Sequence, residues 1–408
     1  MSETVQKAAT AMRPTKVEDV ASVVKDAVLS GHKLEIRGNG TRTGYGNPVQ
    51  ADTTLELGGL DQIEFYEPEE LVIRLGPGVT MQSLQATIAE RGQYLPFEPP
   101  FWTSLYGTDP ARATIGGTMA SALSGPRRLF TGAARDYILG IEGINGQGEH
   151  FVAGGRTVKN VTGYDVSKLM VGSFGTIAAL TSLTLKLWPA PPREQTLLFE
   201  ATDLAADLAR TAEILRAPIA VSGATRLETP QGWQLAFRIE GMEEGVAEHV
   251  AELTRRMARP VAATLDDKDS AALWASIREL DPLNATPDDL IWRVNLPVSQ
   301  AKSFIDAAGQ GGGLSRYFTD WGGAEIFCAT KPETATDAGV TRLRALAKAS
   351  SGHATLVRAP DALRRSQGAF PPASAAVAAL SARVRKAFDP MGLFNPGRMT
   401  VAGQGSKA

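Results

Sequence analysis

Read for its apolar positions, the chain opens with Val20, Val23, Val24, Ala27 and Val28 at helical spacing, which predicts a helix that Gly31 ends. Thr15, with Glu18 three residues on, gives a capping-box pattern at its start. Residues 33–37 then read as a short strand. A second strand is expected at 71–75; Gly76-Pro77-Gly78 breaks it, and Thr80 begins a helix running through Leu84 and Ile88 to Gly92. From Ile115 to Leu187 glycines alternate with short apolar runs, and strands are expected at 138–144 and in the β-branched run 177–187. This first part is mixed α and β.

Pro189-Ala190-Pro191-Pro192 is the clearest punctuation in the chain, because successive prolines favour an extended connection, and it marks a domain boundary. Beyond it the pattern changes to strand 195–200, helix 203–216, strands 219–226 and 233–240, and helix 243–258. A similar order returns as strand 290–296, helix 299–309, strands near 315–320 and 324–330, helix 337–349 and strand 354–358. The repeat suggests two ferredoxin-like split βαβ halves sharing one sheet covered by helices. Pro371 and Pro372 precede a last helix with Val377, Leu380, Val384 and Phe388 on one face. The fold class expected is therefore α+β.

With 408 residues and 43% hydrophobic content, the chain is long enough for two or three domains with real cores. A formal charge of -2 gives no basic footprint for nucleic acid. No window approaches a membrane span, and the first residues lack the apolar run of a signal peptide, so a cytoplasmic location is expected. The single cysteine, Cys328, excludes internal disulfides and cannot by itself ligate an iron-sulfur cluster, which takes four thiolates.

Three glycine clusters carry the candidate chemistry. The first, RGNGTRTGYGNP at residues 37–48, is one residue longer than the dinucleotide fingerprint and is followed by Asn47-Pro48 instead of a helix. The chain has no Gly-Lys pair and hence no P-loop. A loop of this kind can still hold phosphate through consecutive backbone N–H groups, with Arg37 and Arg42 adding charge; the competing reading is a glycine-rich surface turn. The second cluster, residues 113–136, interleaves Gly116, Gly117, Gly125 and Gly132 with Thr114, Thr118, Ser121 and Ser124. It suits either a backbone laid against a large flat ligand or a tight core crossing. The third, residues 154–189, places Gly175 between an apolar helix-like segment and a strand.

Together these clusters resemble the flavoproteins of the vanillyl-alcohol oxidase type. The matching motifs are Arg37-Gly38-Asn39-Gly40-Thr41, Thr114-Ile115-Gly116-Gly117 on to Gly125, and Gly163-Tyr164-Asp165-Val166-Ser167-Lys168-Leu169 on to Gly175-Thr176. Asp389-Pro390 on to Phe394-Asn395-Pro396-Gly397 matches the family's C-terminal signature. Residues 13 to about 190 and 373 to 399 carry the likeness, which is strongest to the small flavin-binding subunit of bacterial glycolate oxidases through Thr157 to Asp165.

The resemblance implies a two-subdomain FAD-binding domain at 13–190, an α+β cap at 191–370 and a C-terminal segment at 371–400 returning to the first domain, with flexible ends at 1–12 and 401–408. It places the FAD pyrophosphate on Gly38 to Thr41. Further contacts come from Thr114, Ile115, Gly116, Gly117, Ser121 and Gly125, with Gly175, Ile177 and the following strand toward the adenine and Asn395 near the ring. Arg37, Arg42 and Lys159 join this cofactor-binding set.

Relatives with covalent flavin use a histidine or cysteine; here Thr41-Arg42-Thr43 occupies the loop, so noncovalent FAD is expected. Related hydroxy-acid dehydrogenases carry a metal-binding cap motif of histidines, whereas His32, His150, His249 and His353 are scattered, so no metal is expected. No catalytic base can be named. Arg112, Arg42 and Lys159 are candidates for charge beside flavin or substrate, or ordinary structural charges. The function implied is an FAD subunit of a multi-subunit glycolate dehydrogenase, partnered by a larger homologous flavin subunit and an iron-sulfur subunit that passes electrons to quinone. Peripheral membrane association would come through that complex. The alternatives are a self-sufficient FAD-dependent hydroxy-acid or alcohol dehydrogenase, and a mainly structural assembly subunit.

Overall fold

The computed structural model describes residues 10–156, 164–310 and 313–400. The ends expected to be flexible fall largely outside these residues, as do Lys159 and most of the 157–165 stretch.

Strands β1 (Thr10–Met12), β2 (Leu34–Arg37) and β3 (Thr53–Glu56) form a parallel sheet in the order β1-β3-β2. The helix Val17–Ser30 lays Val20, Val24 and Ala27 into a core with Leu34, Ile36 and Leu55, as its spacing predicts. Gly31 ends it at φ 72, a left-handed turn that glycine enters without a Cβ clash. Its start differs from expectation: Lys16 holds the N-cap and no side chain caps the helix. Thr15 stands one residue too early to accept from the first turn.

A second sheet runs antiparallel in the order β4-β5-β9-β7-β8, from β4 (Ile63–Glu67), β5 (Val72–Leu75), β7 (Ile138–Ile144), β8 (His150–Gly154) and β9 (Ala179–Lys186). Two-residue strands β6 (Gln93–Tyr94) and β10 (Trp188–Pro189) pair beside it. Central β9 is buried along all but its last residue, which explains its near-continuous apolar and small composition.

The third sheet has eight antiparallel strands: β11 (Arg193–Glu200), β12 (Val221–Thr229), β13 (Gly232–Gly241), β14 (Ala263–Asp266), β15 (Leu290–Asn295), β16 (Leu314–Asp320), β17 (Glu325–Thr330) and β18 (His353–Arg358). Its order, β14-β11-β13-β12-β16-β17-β15-β18, is two copies of one βαββαβ unit joined where Arg226 faces Thr319. The repeat expected from the pattern is therefore present. The closing strand of the first copy, β14, and the linking helix Asp267–Arg278, which buries Ser270, Trp274 and Ile277 on one face, lie outside the elements that the pattern predicts.

Apolar residues on this sheet, including Phe318 and Phe327, share a core with Tyr45, Trp102 and Leu123 of the first half. Beside that core lies a buried network of charges. Glu98 receives two hydrogen bonds from Arg238, each 3.0 Å, and two from Arg127, one from its guanidinium at 2.8 Å and one from its backbone amide at 3.0 Å. Arg127 also reaches Glu240 at 2.6 Å and Glu194 at 2.9 Å, and Ser270 donates to Glu194 at 2.7 Å. Glu98 and Arg127 precede the proline boundary, while the other members follow it, so these bonds fasten the two halves together. Burial alone would raise the Glu98 carboxyl, yet Arg238 and Arg127 outweigh it and hold the group below its ordinary value. Glu240 is likewise held down, to about 2, against its own desolvation by the same two guanidiniums.

Breaking a buried pair leaves an uncompensated charge behind, so Glu98→Ala is expected to cost about 3–5 kcal/mol in urea unfolding. Because the Glu98 and Glu240 carboxyls are lowered in the folded chain, their stabilisation is present above about pH 4.5 and drains away as pH falls toward 2. An acid titration followed by tryptophan fluorescence should show wild-type stability falling across that window, with a shallower fall for Glu98→Ala.

Candidate functional site

The chain leaves β2 at Arg37 and turns through the first glycine loop, where Gly38 passes so close to Thr114 that a Cβ would lie 2.3 Å from its hydroxyl. Thr114 is the N-cap of the helix Ile115–Ser121 and accepts from the Gly117 amide at 3.3 Å. The loop and the second glycine cluster are therefore in direct contact. On the other side, Gly175 stands at φ 66 with room for no Cβ, which would sit 2.8 Å from Asn395 Nδ2. Asn395 accepts from the Ile36 amide at 2.7 Å and donates to the carbonyls of Ile36 at 3.0 Å and Phe174 at 2.6 Å. Four segments remote in sequence thus meet around one open cleft.

Arg37, Gly38, Asn39, Gly40, Thr41 and Arg42 line that cleft from one side. Thr114, Gly116, Gly117 and Ser121 line it from another, with Gly175 and Asn395 completing the set that the sequence singled out. Ile115 and Ile177 stand apart in the hydrophobic core. Gly125 also lies away from the cleft; its amide donates to Phe97 and its carbonyl accepts from Trp321 of the second half. Arg112 is exposed and donates to the Asn39 carbonyl at 3.2 Å, while Asn39 Nδ2 returns a bond to the Arg112 carbonyl at 3.0 Å. That exchange makes Arg112 a brace of the loop. Asn39 Oδ1 is buried without a hydrogen-bond partner among the described residues.

The charges of the first loop have different fates. Arg37 pairs with Glu56 at 2.6 Å and Glu35 at 3.5 Å, so its charge is neutralised within the chain. Arg42 is buried, donating to the Thr118 hydroxyl at 2.6 Å and the Pro100 carbonyl at 3.3 Å. Burial lowers it to about 10, still fully charged at neutral pH. Sequence reasoning missed Arg398, which also lines the cleft. It donates to the carbonyls of Thr43 at 3.1 Å, Asn47 at 3.0 Å and Arg42 at 3.2 Å. Desolvation lowers Arg398 to about 10 as well. The only available signal was its position just after Asn395-Pro396-Gly397, a motif read for its asparagine.

Tyr45, also on the cleft wall, is packed edge-on against Trp102 at 5.5 Å and lies 5.4 Å from Phe174 and 5.9 Å from Phe370, measured between ring centres. The nearby Glu279 carboxylate is spent on the amides of Phe101 and Trp102, the latter at 2.7 Å. Cys328 is fully buried and its thiol is pushed up to about 12 by desolvation, which makes it inert as a nucleophile. Among the described residues no group of three or more histidine, cysteine, aspartate or glutamate side chains could hold a metal ion. The cleft fits an extended dinucleotide: backbone is brought to its surface at Gly38, Gly40 and Gly175, hydroxyls of Thr114 and Ser121 stand opposite, and cations flank it.

Residues 8–154 match the family model for the FAD binding domain. Along 92% of its length the chain is 34% identical to glycolate oxidase subunit GlcE of Escherichia coli, covering 95% of that protein. Glycolate oxidase subunit GlcD of Bacillus subtilis is 30% identical over 47% of this chain and 40% of its own. In structure, 4-ethylphenol oxidase from Gulosibacter chungangensis superposes with a TM-score of 0.71 over 96% of this chain and 89% of that one, at 16% identity. The chain therefore belongs to the FAD-binding flavoproteins of the vanillyl-alcohol oxidase and p-cresol methylhydroxylase type, FAD-linked oxidoreductases with a cap domain, as a homologue of the glycolate oxidase subunit GlcE.

Proposed function

We propose that this chain is the noncovalent FAD subunit of a multi-subunit enzyme that oxidises glycolate to glyoxylate, with a larger, GlcD-type flavin subunit carrying most of the substrate chemistry. An iron-sulfur subunit takes the electrons onward to quinone. The observation that carries the reading is the cleft itself, which gathers the three glycine segments and Asn395 in a chain related to GlcE along nearly its whole length. In this reading residues 13–190 with 371–400 hold the cofactor and 191–370 form the cap. Bound FAD supplies the two-electron acceptor. The chain's own residues would bind and orient it: the backbone of Gly38 to Thr41 would take the pyrophosphate, the Thr114 hydroxyl sets how closely the loop approaches its helix, and Asn395 fixes the segment leading into β9.

Two features support assigning substrate chemistry to the partner. The wall where the loop meets the cap is filled by Tyr45, Trp102, Phe174 and Phe370, and the Glu279 carboxylate is committed to the backbone amides of Phe101 and Trp102. With Thr41-Arg42-Thr43 in the loop and Cys328 in the cap core, neither site offers a side chain for a covalent flavin bond.

Acid precipitation of the purified protein should leave all its flavin in the supernatant as FAD; flavin retained in the pellet would mean a covalent link. Anaerobic addition of glycolate to the isolated subunit should leave the flavin spectrum oxidised, while the same addition to the assembled complex bleaches it. Bleaching of the isolated chain would instead establish a self-sufficient dehydrogenase. Gly38→Ala should weaken FAD binding by about tenfold or more, read by fluorescence titration, because its methyl group displaces the Thr114 hydroxyl from its capping bond.

A further inference from the structure

Arg42 and Arg398 carry charges that no carboxylate among the described residues pairs with. Every hydrogen bond they make ends on a neutral oxygen: a hydroxyl and a carbonyl for Arg42, three carbonyls for Arg398. They are joined to each other, since Arg398 donates to the Arg42 carbonyl, and both face the same cleft. The carboxylates that come nearest are occupied elsewhere: Glu279 holds the amides of Phe101 and Trp102, and Glu35 pairs with Arg37. A third cation, Arg364, donates to the Gly46 carbonyl of the same loop and is already paired with Asp361 at 2.5 Å. Charge removed from water without an opposite charge is costly. The open volume that both residues line is the cleft, so an anion bound there can supply the compensating charge.

We infer that Arg398, acting with Arg42, binds an anionic portion of FAD, so that the C-terminal segment contributes a charged cofactor contact in addition to the Asn395 staple. The inference rests on the cleft being the FAD site. FAD offers two anionic groups of this kind: the pyrophosphate, negative in every redox state, and the pyrimidine edge of the isoalloxazine, which gains negative charge on reduction. The shared chemistry is a delocalised oxyanion facing a planar cation that can present two donors at once.

The test compares the full-length wild-type protein with Arg398→Gln and Arg398→Lys. Apoprotein is titrated with FAD and with ADP, the midpoint potential of each reconstituted holoprotein is measured, and apoprotein melting is recorded. Arg398→Gln should raise the Kd for oxidised or for reduced FAD, the latter obtained from the oxidised Kd and the potential, about tenfold or more; Arg398→Lys should restore most of that affinity, and the Gln variant's apoprotein should melt at or above the wild-type temperature. If the anion is the pyrophosphate, ADP loses affinity by the same factor and the potential is unchanged. If it is the reduced ring, ADP binding is unchanged and the potential falls by about 30 mV for each tenfold of lost preference for reduced over oxidised FAD.

The inference is overturned if the Gln variant binds FAD as tightly as wild type and its midpoint potential is unchanged. It is equally overturned if the Lys variant is as weak as the Gln variant and both apoproteins melt early, which marks Arg398 as a brace of the loop carbonyls alone. Wild-type apoprotein that binds no FAD would remove the reading of the cleft together with this inference, an outcome distinct from the other two.

Discussion

The cleft depends on one amide side chain. Asn395 occupies both backbone groups of Ile36 and the carbonyl of Phe174, and so fixes the last residues of β2 against the segment that opens β9. Its own backbone continues the contact: the Asn395 amide donates to the Leu34 carbonyl and the Leu34 amide to the Leu393 carbonyl, each at 2.9 Å. The C-terminal segment thus covers the outer edge of β2, whose backbone groups would otherwise stand unpaired. Asparagine suits the place because it tolerates the left-handed φ of 41 found there while presenting a donor and an acceptor together. Everything the first loop does begins where this clamp ends, at Arg37.

How much of this was legible in the sequence follows from the range of each interaction. The repeat beyond the prolines could be read because strand and helix periods are local, and the glycine clusters because a missing Cβ is recorded in the residue itself. The seam of Glu98 and Arg238 could not be read: its partners are 140 residues apart and each is an unremarkable charge in its own stretch. Arg398 was hidden for the same reason, and β14 because an alternation of only four residues, none of them fully buried, is too short to stand out from a loop. The last helix shows the reverse failure. Its apolar face was correctly placed in register, yet Val377 and Leu380 are more than half exposed, and only Phe388 meets an aromatic neighbour, Phe151 at 5.7 Å. Periodicity states which residues share a face and leaves open what that face meets.

The arginines divide into two groups by what surrounds them. At the seam, Arg127 and Arg238 are enclosed by Glu98, Glu194 and Glu240, charges that compensate one another and hold two halves in register. At the cleft, Arg42 and Arg398 are desolvated with only hydroxyl and carbonyl oxygens around them. The first arrangement is complete within the chain. The second is complete only with a ligand, and perturbed groups without internal partners concentrate where function needs them. The different pKa directions express this contrast: Arg127 is raised because its carboxylates outweigh desolvation, whereas Arg42 and Arg398 are lowered because nothing does.

That contrast bears on the division of labour between subunits. Oxidising a hydroxy acid at a flavin takes a group to accept the hydroxyl proton and a cation to hold the carboxylate, both free to meet the substrate. Near the loop of this chain Arg37 is paired with Glu56 and Glu35, Glu279 is fastened to backbone amides, and an aromatic cluster fills the space between loop and cap. Each of these groups already has its partner inside the fold, and releasing one would expose a buried donor, acceptor or ring. The cofactor cleft, by contrast, is lined by glycine backbone and by two guanidiniums that no carboxylate among the described residues pairs with. A chain organised in this way invests its specific chemistry in holding FAD. That supports a role in which the flavin exchanges electrons with partners while the substrate is handled elsewhere in the complex.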